Sequence, residues 1–226
     1  MNLDKTFVIG EAGTCHAHDD PDQRYLLAMD YVYAAFAANA DAIKFQIFDN
    51  PTKETMFCWI DGDEERSPRW HQSRLRLDQW RAIKQLCDEL ELVFLASVFE
   101  YETVKWLSEL NVEATKVASR AAGDLNEFRY APKPLLVSNG MYPVSSNQVS
   151  VLQCEANYPS TALWNNVGGF SDHSGSPWRA IAAIVGGCKL IEVHFYIEKE
   201  EAGPDLPASI TTNELALICE ARDSME

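Results

Sequence analysis

Eight short apolar runs recur along the 226-residue chain, at 6–13, 41–48, 92–99, 114–120, 134–140, 150–156, 167–173 and 189–196. Each is continuous rather than alternating, the pattern of strands in a parallel sheet covered on both faces. Helical stripes lie between several of them: Leu26, Met29, Val32 and Phe36; Trp80, Ile83, Cys87 and Leu90; Val104, Leu107 and Leu110; Trp178, Ile181 and Ile184. Eight such units predict an α/β fold, a (β/α)8 TIM barrel, formed as a single domain over 1–226. An open doubly wound sheet is the competing arrangement. No glycine-rich dinucleotide fingerprint follows the first run, which weakens it.

Local signals agree with this division. Asp20-Pro21 and Ser176-Pro177 read as helix starts, Gly186-Gly187 as a helix end, and T-T-N-E (211–214) as a capping box opening the last helix. The barrel is expected to be trimmed, with helices reduced or missing between strands 5 and 7, because 141–149 and 157–166 are too short for full barrel helices. The exposed strand faces would take cover from a partner chain or from Tyr142, Tyr158 and Trp164. The aperiodic stretch 49–76 is long enough to be a functional loop or lid.

A formal charge of -15 disfavours nucleic acid as a partner. No apolar run is long enough to span a bilayer, and no basic-then-apolar leader opens the chain, so a cytoplasmic protein is expected. The six cysteines form no C-x-x-C pair and read as buried thiols.

In a barrel the chemistry gathers at the C-terminal ends of the strands. The polar residues there are Glu11, Lys44, Gln46, Ser97, Lys116, Ser119, Ser138, Asn139, Tyr158, Ser171, His173 and His194, with Asp205 one loop later. Lys44 and Lys116 interrupt apolar strands and point to an anion site; with the hydroxyls they suit a phosphorylated, carboxylated small molecule. His173 and His194 at adjacent strand ends suit one Mn2+, Mg2+ or Zn2+. Glu11 is placed to act as a general base or to orient a reacting hydroxyl.

Nine fragments in order resemble the barrel domain of the sialic acid synthase family: E-A-G-T-C-H (11–16), D-A-I-K-F-Q (41–46), A-S-V-F (96–99), K-V-A-S (116–119), V-S-N-G-M (137–141), Q-C-E-A-N-Y-P (153–159), S-D-H (171–173), V-H-F (193–195) and G-P-D (203–205). The resemblance implies condensation of phosphoenolpyruvate with an N-acyl-hexosamine to give a nonulosonic acid and phosphate. By position, Lys44, Ser97, Lys116, Ser119, Ser138 and Ser171 would hold phosphoenolpyruvate. Gln46, Tyr158 and Asp205 would face the sugar, and His173 and His194 would ligate the metal, Mn2+ or Mg2+ by preference. With Glu11, the two histidines form the implied catalytic group. The chain departs from the family pattern at Cys15, Ala96, Val98, Asn139 and Ala156, the last in place of a sugar-contacting asparagine. It ends after the eighth helix, so the family's C-terminal antifreeze-like domain is expected to be absent, leaving a homodimer or a separate small-domain partner to complete the sugar site.

Two other readings stand beside this one. A degenerate barrel would bind a phosphorylated ligand or a partner protein without catalysis. A Schiff-base aldolase would use Lys44 or Lys116 and leave the histidine pair idle. Among the other histidines, His16 is expected to support Glu11 from behind, while His18 and His71 read as loop residues. Trp59, Trp70 and Trp80 read as packing.

Overall fold

In a computed structural model, residues 5–144 and 149–225 are described. Eight parallel strands close into a barrel: β1 (Phe7–Gly13), β2 (Ala42–Ile47), β3 (Val93–Val98), β4 (Thr115–Val117), β5 (Leu135–Ser138), β6 (Val149–Cys154), β7 (Gly169–Asp172) and β8 (Leu190–Tyr196), with β8 pairing back onto β1. A ninth short strand, β9 (Ser209–Thr211), pairs in parallel with the end of β8. Its three residues carry no periodicity of their own, and the sequence pattern misses it. Among the described residues six α-helices belong to the ring and its loops: α1 (Pro21–Ala37), α2 (Ser67–Gln72), α3 (Leu77–Glu89), α4 (Tyr101–Glu109), α5 (Pro177–Val185) and α6 (Thr212–Asp223).

The predicted starts of α1 and α6 form as expected. Asp20 accepts from Asp22 N at 2.9 Å with Pro21 in the first turn, and Thr211 and Glu214 make the reciprocal capping box. Ser176 differs: it precedes α5 without a capping bond, so Pro177 alone marks that start.

The trimming lies where the short connections put it. No helix occurs among the described residues between β5 and β6, or between β6 and β7, and the β4–β5 connection holds only 3-10 turns over Ser119–Phe128. An irregular loop replaces the ring between β6 and β7. Gln153 grips it at two points, donating to Leu163 O at 2.7 Å and accepting from Asn165 N at 2.6 Å. Trp164 packs against Gly186 at the end of α5, and Tyr142 lies over Gly123. Tyr158 does not join this cover; it faces the rim, edge-on to His173.

Two apolar layers hold the barrel. The larger one, between strands and helices, includes Phe45, Phe94, Trp80, Tyr31 and Phe195. The smaller one plugs the barrel interior with Phe7, Ile9, Ala42, Leu95, Ala114, Leu136, Leu152 and Leu190. On β7 the equivalent place is Gly169, where a Cβ would lie 3.0 Å from the Leu152 side chain and 2.8 Å from Leu190 O, leaving room for no other residue.

His16 is part of the outer layer. Its ring sits edge-on to Phe45 and Trp80, and Nε2 donates to Ser73 O at 2.8 Å, so it does not back Glu11. Burial lowers its pKa from 6.5 to about 4. Below pH 6.5 the unfolded chain therefore takes up a proton that the folded chain refuses, and stability falls as pH drops toward 4. Between pH 7 and 5 this one residue is expected to cost about 2 kcal/mol. Urea unfolding of His16→Gln should show a pH slope shallower by about that amount; equal slopes would refute the assignment.

Candidate active site

The interior changes character two residues beyond the apolar plug. Side chains in a strand repeat every second residue, so each strand that contributes a plug residue also contributes the side chain above it. From Ile9, Leu95, Leu136 and Gly169 the step leads to Glu11, Ser97, Ser138 and Ser171; from Ala42, Ala114, Leu152 and Leu190 it leads to Lys44, Lys116, Cys154 and Glu192. A polar layer thus spans the barrel, below a cavity of about 800 Å³.

Charge balance sets the layer's geometry. Lys44 Nζ lies 2.7 Å from Glu11 Oε2 and 3.7 Å from Glu192 Oε2, and Lys116 Nζ lies 3.4 Å from Glu192 Oε1. Lys44 also donates to Ser97 Oγ at 3.1 Å, Lys116 to Ser138 Oγ at 2.8 Å, and Ser171 Oγ to Glu192 at 3.0 Å. All four charged side chains are buried. Burial raises the Glu11 carboxyl above the ordinary carboxylate range, against the pull of Lys44. Burial acts upward on Glu192 too, but Lys116 and Lys44 outweigh it and hold this carboxyl low. Burial depresses Lys116, with Glu192 opposing; on Lys44 the same depression is overcome by Glu11 and Glu192.

His173 and His194 stand on the rim one step above Ser171 and Glu192, with ring centroids 5.3 Å apart. His173 Nδ1 donates to Glu155 O at 2.8 Å, which leaves the Nε2 lone pair directed elsewhere. Burial lowers His173 to about 4 and His194 well below the imidazole range, so both rings are neutral at pH 7. Tyr158 lies edge-on to both, with centroids at 4.7 and 5.8 Å. Opposite them, Asp205 lies near Gln46 and Glu11, and burial lifts its carboxyl to about 6 against Arg69 and Arg66.

The cavity is thus lined by Glu11, Lys44, Gln46, Lys116, Ser119, Ser138, Tyr158, Ser171, His173, His194 and Asp205. Ser97 is the exception: it is fully buried under Lys44 and supports that ammonium without facing the cavity. Glu192 was missed in the sequence reading, although Leu190-Glu192-His194 is the same two-residue step that identifies the others. Arg66, Arg69 and Arg120 also line the cavity and were missed. The first two come from the 49–76 excursion, which is a folded wall with Trp70 stacked on Phe48 at 5.3 Å. Arg120 stacks over Trp70 and pairs with Asp63. Trp59 packs against Trp70, as expected.

Fold and site together define a closed α/β barrel with a floor of paired lysines and glutamates and a histidine pair at its rim. The chain belongs to the NeuB family, whose model matches residues 31–167 and 161–226. It is 28% identical to the spore coat polysaccharide biosynthesis protein SpsE of Bacillus subtilis, over 92% of this chain and 64% of that protein. It is also 28% identical to the N,N'-diacetyllegionaminic acid synthase of Legionella pneumophila, over 96% of this chain and 72% of that one. The chain therefore spans about two thirds of the length of these relatives. The crystal structure of the N-acetylneuraminic acid synthetase of Leptospira borgpetersenii has the same fold, with a TM-score of 0.83 at 21% identity, covering 99% of this chain and 85% of that one.

Replacing Glu192 by glutamine removes the anion that both ammonium groups share. Breaking a buried pair in this way costs about 3–5 kcal/mol. Urea unfolding of Glu192→Gln at pH 7 should show a loss of that order, partly restored by orthophosphate; an unchanged midpoint would contradict the charge balance described.

Proposed function

We propose that this chain is a metal-dependent transferase that condenses phosphoenolpyruvate with an N-acyl-hexosamine, giving a nonulosonic acid and phosphate. The observation that carries the reading is the polar layer: two buried ammonium groups with hydroxyls beside them, under a cavity bordered by two neutral imidazoles. Membership of the NeuB family and likeness to sialic-type acid synthases support it.

The donors suit a divalent cation. Two neutral imidazoles, one with its second nitrogen held by a carbonyl, can hold a divalent ion that takes its other ligands, mainly oxygens, from water and substrate. A zinc site would ask for a third protein ligand, and among the described residues no cluster of three His, Cys, Asp or Glu side chains is arranged to hold an ion. His173 and His194 would hold Mn2+ or Mg2+, which when bound supplies Lewis-acid polarisation of the sugar aldehyde oxygen.

The protein groups do the rest. Lys44 and Lys116, with Ser119, Ser138 and Ser171, bind the phosphate and carboxylate of phosphoenolpyruvate and fix the enol C3 toward the rim. Gln46, Tyr158 and Asp205 orient the open-chain sugar so that its aldehyde carbon meets C3. The new bond joins those two carbons, water adds to C2, and the C2–O bond to phosphate breaks. Glu11, whose carboxyl is held high by burial, exchanges a proton with the reacting oxygens near neutral pH. For the Schiff-base alternative, Lys44 is ion-paired and raised rather than a free amine, which leaves it only Lys116, itself paired with Glu192 though depressed by burial, and gives the histidine pair no role.

One observation favours a second reading. Ala156 lines the cavity without offering a polar group, so the site could hold phosphoenolpyruvate and fail to turn over a sugar. The deciding experiment is phosphate release from phosphoenolpyruvate with a panel of N-acyl-hexosamines. Release should require both substrates, stop with a chelator and fall at least about 100-fold in His173→Ala. Thermal stabilisation by phosphoenolpyruvate with no release from any sugar would replace the enzyme reading with the binding one.

A further inference from the structure

We propose that Arg69 is the positioning residue for Asp205, through which the wall between β2 and α3 sets how the acceptor sugar is held. The inference rests on the proposed function for the identity of the ligand, and on geometry for the role of the arginine. Arg69 extends from α2 across the barrel mouth. Its Nε donates to Thr14 Oγ1 at 3.0 Å, its Nη2 to Thr14 O at 3.0 Å, and the same Nη2 to Glu201 O. One guanidinium thereby ties three segments that are distant in sequence: α2, the turn after β1 and the loop after β8.

Two glycines show how closely these parts meet. Gly203 has φ +54°, and a Cβ there would lie 2.5 Å from Arg69 Cζ and 2.6 Å from Nη1. The guanidinium rests on bare backbone two residues before Asp205, and any side chain at 203 would displace it. Gly13 has φ +56°, and a Cβ there would lie 3.1 Å from Asp205 Oδ2, 3.5 Å from Gln46 Nε2 and 3.5 Å from Glu11 Oε1. The carboxylate therefore sits directly over the turn that Arg69 pins through Thr14.

The Asp205 main chain is held separately. Its carbonyl accepts from Ser209 Oγ at 2.8 Å, and Ser209 is in register with His194. What remains to be set is the carboxylate itself. The titratable and charged groups that face it are Arg69 and Arg66 from the wall, Glu11 from β1, Lys44 from β2, Cys15 beyond the β1 turn and Tyr158 from the loop after β6. Arg69 acts most strongly among the cations, and it favours the ionised form against burial. Lys44 and Lys116, by contrast, stand on strands and do not depend on the wall. Arg69 thus governs the sugar side of the cavity and leaves the phosphoenolpyruvate side alone.

The test compares Arg69→Met and Arg69→Lys in the full chain. Arg69→Met should raise KM for the acceptor by about tenfold or more while KM for phosphoenolpyruvate stays within about twofold. The acid limb of kcat/KM for the acceptor should move upward by about one pH unit, since the carboxyl loses the cation that acts on it most strongly. Arg69→Lys should restore the pH limb and part of the affinity. A 13C NMR titration of the Asp205 carboxyl, assigned with Asp205→Asn, reads the same coupling without turnover, and its midpoint should rise in Arg69→Met. An unmoved midpoint, or equal increases in both KM values, would overturn the proposal. Absence of turnover in the unaltered protein would instead refute the proposed function, and the NMR titration would still decide the role of Arg69.

Discussion

Glu192 sits between two lysines inside a barrel that is otherwise plugged with hydrocarbon. Four charged groups within one buried layer would be costly apart, and they are tolerated because each has a partner of opposite sign. Every feature of the site follows from that arrangement. Ser97 and Ser138 accept from Lys44 and Lys116, Ser171 donates to Glu192, and the two imidazoles one step above are kept neutral by burial. The strand register makes the pairing possible: Glu11 lies opposite Lys44, Ser97 opposite Lys116, and Ser171 opposite Glu192.

The same layer explains a contrast in charge. The chain carries -15 overall, yet in its cavity Lys44, Lys116, Arg66, Arg69 and Arg120 stand against the carboxylates of Glu11, Glu65, Glu192 and Asp205. An acidic exterior repels anions at long range, and under the proposed function the cations inside would offset that repulsion for an anionic substrate that enters. Under the proposed function, an anionic enol would take up interactions that the carboxylates of Glu11 and Glu192 make in its absence.

The outer ring is thinner than the barrel it encloses. Between β6 and β7 a loop held by Gln153 and closed by Trp164 stands in for a helix. This economy does not reach the charged layer, because Glu11, Lys44, Lys116 and Glu192 belong to strands, although Tyr158 comes from that loop. Where a loop does contribute, as with Asp205, other contacts fix it: Ser209 on the main chain and Arg69 across the neighbouring backbone.

Much of this was legible from periodicity alone. Continuous apolar strands with helical stripes between them specify a parallel barrel, and short connections specify where its ring is thin. The lysines and histidines were visible because a charge within a buried strand has few structural uses. Glu192 obeys the same two-residue step but lies among residues that hide it, and Ser97 seemed a cavity residue when its hydroxyl is spent on Lys44. His16 could not be placed from its motif, because its partners Phe45, Trp80 and Ser73 come from three other segments. Strand identity and inward-facing positions follow from the order of residues, since a pleated strand imposes its own period. Which inward groups meet, which wall closes over them and which arginine lies against the backbone beside Asp205 depend on contacts between segments far apart in the chain, and only the closed barrel brings those together.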